Sequence, residues 1–130
     1  MSSRRKFIYH ASALTAGTLL ANDVFAIFKN SVAPSDQLNV GVIGVNGMGW
    51  SNLQSILKIP GVNLLALCDV DKNVLDKRLA DLQKMNVDVS KLKTFNDHRG
   101  LLDMKEIDAV IIGTPDHWHT LIAIESMHAA

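Results

Sequence analysis

From Leu38 onward the chain alternates short apolar runs with amphipathic stretches, and this alternation narrows its possible folds more than any other feature. Near-continuous apolar runs suit strands covered on both faces, and apolar residues recurring every three or four positions suit helices laid across those strands. Repetition of the pair predicts βαβ units, and so an α/β fold with a parallel sheet and helices on both of its sides.

The elements can be placed in order. A first strand is expected over Asn39 to Gly44, then a helix from about Gly49 to Lys58 with Trp50, Leu53 and Leu57 on one face, closed by Pro60-Gly61. A second strand over Val62 to Cys68 leads to a helix from about Lys72 to Lys84 with the stripe Leu75, Leu79, Leu82. A short strand at Leu92 to Phe95 precedes a brief helix from about His98 to Met104, with Asp97 as its N-cap. Asp108 to Gly113 reads as a fourth strand, and Thr114-Pro115 as cap and first position of a last helix. That helix is still running at Ala130, which reads as a truncation; the sheet edge left unpaired there predicts a marginal domain.

One domain is the ceiling for 130 residues, and 48% hydrophobic with 20% charged residues is ordinary for a soluble globular chain. Thirteen basic and thirteen acidic side chains cancel, so overall charge points neither to nucleic acid nor to an anionic membrane surface. Cys68 is the single cysteine, which excludes an intramolecular disulfide; inside its apolar run it reads as a small buried hydrophobe rather than a nucleophile.

The head of the chain is different. Up to Gln37 it carries Arg4, Arg5, Lys6 and Lys29 against Asp23 and Asp36. Ser3-Arg4-Arg5-Lys6-Phe7-Ile8, a weakly apolar stretch from Ala11 to Leu20, and Val24-Phe25-Ala26 resemble, in that order, a twin-arginine export signal and its cleavage site. Asp23 interrupts the apolar stretch well short of the roughly 20 residues that span a bilayer, so no stable membrane anchor is expected. The expected organisation is a signal over residues 1–26, a polar linker over 27–37 and a nucleotide-binding domain over 38–130. Twin-arginine export machinery is thereby implied as a partner, and the periplasm or exterior as destination, after folding in the cytoplasm.

Between the first strand and helix lies Gly44-Val45-Asn46-Gly47-Met48-Gly49. The dinucleotide fingerprint wants glycine at the first, third and sixth positions, for a tight turn, close approach of a pyrophosphate, and close packing of helix on strand. Gly44 and Gly49 fit, whereas Asn46 stands where the second glycine belongs. Asparagine tolerates the left-handed region better than other side chains, and Gly47 beside it keeps the turn open. Asp69, at the end of the second strand and 20 residues past Gly49, occupies the place of the ribose-binding acid; capping of the next helix, by Asp69 or Asp71, is the alternative reading. A carboxylate there favours NAD, with NADP possible because Lys72 is near.

Ile111-Ile112-Gly113-Thr114-Pro115-Asp116-His117-Trp118-His119, taken with Asn39 to Gly49 and Cys68-Asp69-Val70-Asp71, resembles the glucose-fructose oxidoreductase, inositol dehydrogenase and rhizopine-catabolism family (Gfo/Idh/MocA). The resemblance implies a Rossmann-type doubly wound sheet, truncated here ahead of a C-terminal α/β substrate domain, and a homo-oligomer at full length. It implies that Thr114, Pro115 and His119 flank the nicotinamide end of the cofactor, beside Gly44, Asn46, Gly47, Met48, Gly49 and Asp69. It places the catalytic lysine in a Glu-Lys-Pro segment after Ala130, so no catalytic residue is assigned here. His117 and His119, two apart on a helix, point to different faces and are poor metal partners. Three functions follow: part of an exported NAD(P)-dependent oxidoreductase of sugars or polyols, part of a glycosidase that uses NAD catalytically, or a non-catalytic nucleotide-binding fragment.

Overall fold

The computed structural model describes residues 36–129; the expected signal and nearly all of the linker lie outside them. Strands β1 (Leu38–Ile43), β2 (Val62–Cys68), β3 (Lys93–Phe95) and β4 (Ala109–Ile112) alternate with helices α1 (Gly47–Ile56), α2 (Lys72–Lys84), α3 (His98–Leu102) and α4 (Asp116–Ala129). The strands pair in parallel in the order β3-β2-β1-β4. This is the doubly wound, Rossmann-like sheet the alternation predicts, with β1 in the interior between β2 and β4.

Side-chain parity sorts the core into two layers. Val40 and Val42 of β1 face one side with Leu53 of α1 and Leu75 and Leu82 of α2. Ile43 of β1 faces the other, with Leu101 of α3 and Ile122 of α4. On β2 the register slips between Val40 and Gly41 of its partner, so that Leu64 pairs with Val40 and Ala66 with Gly41. The extra residue, Leu65, reverses the parity. Val62 and Leu64 before it and Leu67 after it therefore all reach the α1/α2 layer, leaving Ala66 and Cys68 to the other.

Most boundaries fall within two residues of expectation. The β2 and α2 limits agree with it, and Asp71 and Asp97 cap α2 and α3 by accepting from Asn73 N and Arg99 N at 2.8 and 2.9 Å. Helix α1 opens two residues early, at Gly47. Helix α4 opens at Asp116, not at Pro115: the Pro115 carbonyl accepts from the amides of Trp118 and His119, each at 3.0 Å, so the proline holds the cap position and Thr114 lies outside the helix. Among the described residues no helix is long and apolar enough to cross a membrane.

Candidate functional site

The carboxyl ends of β1, β2 and β4 surround a cavity of about 700 Å³. Open α/β sheets bind ligands there because loops at the strand ends diverge to opposite sides. Gly44, Asn46, Gly47, Met48, Asp69, Thr114 and Pro115 all line it. Gly49 is buried and His119 is exposed, and neither belongs to the wall; His117 and Trp118 do.

Glycine 44 makes the approach of β1 to β4 possible. It leaves the strand with φ +79°, and a Cβ there would sit 2.8 Å from the Gly113 carbonyl carbon and 2.9 Å from Thr114 N. A Cβ on Gly49 would overlap the Gly44 carbonyl oxygen, and one on Gly113 would lie 2.7 Å from that same oxygen. Three glycines from β1, α1 and β4 thus pack backbone on backbone.

Asn46 departs from expectation. Its φ of −105° is extended, because the left-handed conformations fall to Gly44 and to Gly47, at φ +48°. It stands at the N-cap of α1, yet its side chain makes no capping bond; its amide oxygen instead accepts from Arg78 Nη2 at 3.1 Å. The start of α1 therefore has no side-chain cap: Gly49 N donates to the Asn46 carbonyl at 3.1 Å, and Gly47 and Met48 line the cavity where the helix dipole favours an anion.

Arg78, on α2, is the residue that the sequence pattern passed over. It is the buried charged residue of the described core, 9% exposed, and donates from Nε to the Val45 carbonyl at 2.9 Å. Its Nη1 meets Asp81 at 3.1 Å, and its guanidinium lies 4.4 Å from the centre of the Trp50 ring. The signal was its phase: Arg78 falls between Leu75 and Leu82, on the stripe that α2 buries.

The cap of α2 is not Asp69. Asp71 caps α2, and the Asp69 carboxylate spans the two strand ends, accepting from Val45 N through Oδ2 and from Asp71 N through Oδ1, both at 3.0 Å. Asn96 Nδ2 donates to its carbonyl at 3.0 Å. The acid is thus fixed relative to the glycine turn, on the cavity wall.

Further residues belong to the wall. His98 lines the cavity and its Nε2 pairs with Glu125 on α4. The Cys68 thiol is pushed up to about 12, chiefly by burial and then by the carboxylates of Asp69 and Asp97. It is a neutral, unreactive wall at ordinary pH. Thr114 Oγ1 is buried without a hydrogen-bond partner. A buried hydroxyl facing such a cavity is the mark of a wall completed by a polar ligand. Among the described residues no three His, Cys, Asp or Glu side chains gather as metal ligands.

A dinucleotide fits these parts: a glycine-rich turn into an uncapped helix start for the diphosphate, a fixed carboxylate for a ribose, and an orphan hydroxyl beyond. Solved structures share the fold. A myo-inositol 2-dehydrogenase from Lactobacillus plantarum is 28% identical, with TM-score 0.59 over 72% of this chain and 26% of its own. A probable dehydrogenase from Thermotoga maritima is 25% identical, with TM-score 0.57 over 71% and 26%. A glycosyl hydrolase family 109 protein of Shewanella putrefaciens is 36% identical over 97% of this chain. The chain spans 31% of the length of that relative. A profile of the oxidoreductase family with an NAD-binding Rossmann fold matches residues 38–130, and the chain belongs to that family, Gfo/Idh/MocA.

Proposed function

We propose that the chain is the nucleotide-binding part of an exported oxidoreductase that uses NAD in preference to NADP to oxidise or reduce a sugar or polyol. One observation carries the cofactor preference: Asp69 is held on the cavity wall by the Val45 amide of the glycine turn. A carboxylate so placed accepts the two hydroxyls of a ribose and repels a 2′-phosphate. When bound, the nicotinamide takes up or returns a hydride. The chain's own residues bind and orient: the α1 amides hold the diphosphate, Asp69 the ribose, and Thr114 and Pro115 the nicotinamide side, with His117, Trp118 and His119 at its margin.

The substrate class is supported by the family and by the inositol dehydrogenases among the solved structures. One of these, a scyllo-inositol dehydrogenase from Lactobacillus casei, holds NAD(H) and scyllo-inositol. Export through the twin-arginine machinery to the periplasm or exterior rests on Ser3-Arg4-Arg5 and the segment behind it, and homo-oligomeric assembly on the resemblance. The glycosidase reading is favoured by the name of the Shewanella putrefaciens relative. Net turnover separates the two: with a panel of sugars and polyols and catalytic NAD, the oxidoreductase accumulates NADH in proportion to product, and the glycosidase releases sugar with the NAD pool unchanged. Asp69→Asn is expected to weaken NAD by roughly tenfold or more, as loss of hydrogen bonds to a charged acceptor requires. A variant that binds NAD and NADP as the parent does would remove the cofactor-preference argument.

A further inference from the structure

We infer that Arg78 is a positioning residue that keeps the phosphate-facing turn open, by holding the Asn46 side chain away from the α1 amides. This rests on the reading of the cavity as a dinucleotide site. Asparagine is among the strongest N-caps, because its side-chain oxygen accepts from the amide two or three residues on. At Asn46 those amides belong to Met48 and Gly49; Gly49 N already donates to the Asn46 carbonyl at 3.1 Å, which leaves the amide of Met48, a residue of the cavity wall, as the one for which a diphosphate and an Asn46 cap would compete. Asn46 has the extended backbone of an N-cap and yet makes no capping bond. Arg78 takes its oxygen at 3.1 Å and, through Nε, the Val45 carbonyl at 2.9 Å.

The guanidinium is itself fixed. Asp81 holds Nη1, Trp50 lies beneath its plane, and the side chain is 10% exposed. Helix α2 thus reaches under the turn with a fork whose donors select both the path of the backbone and the direction of Asn46. A second glycine at this position needs no such restraint, since it has no side chain to compete with the ligand. The pair Asn46–Arg78 does here what glycine does in the fingerprint.

The test uses the full chain, with ADP as the diphosphate probe and adenosine as the control, read by calorimetry, and amide exchange without nucleotide. Arg78→Met is expected to weaken ADP about five- to tenfold, the size of a competing cap, with adenosine unchanged. Exchange at Met48 should slow as Asn46 caps α1. Asn46→Gly in that background should return most of the ADP affinity that Arg78→Met loses. If Arg78→Met proves unstable, Arg78→Lys, which loses the fork, replaces it with the same expected rescue. A loss that Asn46→Gly does not repair, or exchange that quickens at Met48, overturns the inference and leaves Arg78 a packing residue. Failure of the parent chain to bind ADP would instead strike the dinucleotide reading, and the exchange result would still judge the Asn46–Arg78 pair.

Discussion

The two layers flanking the sheet are built differently. On the α1/α2 side seven buried residues, among them Leu53, Leu67 and Leu82, form a closed core into which Arg78 is locked. On the α3/α4 side the helix α3 has five residues, and α4 buries Ile122 while leaving Trp118, Leu121, Ile124 and Met127 between 44% and 71% exposed. The glycine turn at the start of α1 adjoins the closed side, and Thr114-Pro115 leads into α4 on the open one. Under the proposed function, the diphosphate would meet the better packed layer and the nicotinamide the less enclosed one.

The largest effect is expected where the two sides meet. Gly49→Ala, whose Cβ overlaps the Gly44 carbonyl oxygen, should cost about 3 kcal/mol or more and drop the thermal midpoint sharply. A midpoint near that of the parent would show that the start of α1 approaches Gly44 less closely than described. Next, Leu53→Ala on the closed side should cost about 2–5 kcal/mol, and Leu121→Ala on the open side less than about 0.5 kcal/mol, measured by urea denaturation. Equal losses would erase the contrast between the layers.

Cys68 gives a smaller signal. Its folded pKa lies above the ordinary value of 9.0, so its contribution to stability is whole below that value and fades as pH rises from 9.0 toward about 12. Iodoacetamide should label the native thiol far more slowly than the denatured one at neutral pH, and rapid native labelling would mean that this wall opens. Smallest of all is Asp88, fully exposed after α2, whose pKa is lowered mainly by the Ser90 amide. Its contribution is present above the ordinary carboxylate value and lost as pH falls through the lowered one, so Asp88→Asn should barely move the thermal midpoint at neutral pH. A shift matching that of Leu121→Ala or larger would place more of the molecule's stability in this loop than its exposure allows.

Legibility in the sequence followed the same division. Val62 to Cys68 and Lys72 to Lys84 were readable to the residue, because a continuous apolar run and a 3.6-residue stripe each have one solution. The Asn46 conformation was not, since three glycines share the turn and only packing decides which of them go left-handed. Arg78 was hidden because a charge on a helix ordinarily faces water; besides Asp81 on its own helix, its partners Val45, Asn46 and Trp50, which lie 28 to 33 positions earlier, make burial tolerable. On α4 the wall takes His117 and Trp118 and not His119, because successive helical residues point about 100° apart and the sequence does not say which face of the helix meets the cavity.

The contact of Gly44 with Gly113 has a temporal consequence. Those residues are 69 positions apart, and Asp108, just before β4, receives the Asn39 amide at the far end of β1 over the same distance. A chain emerging from the ribosome can form the α1/α2 layer early, but the cavity acquires its second wall only when β4 has been synthesised and has found β1. The complete cavity is therefore a late product of folding, and a ligand that needs both walls finds them only after β4 has closed on β1.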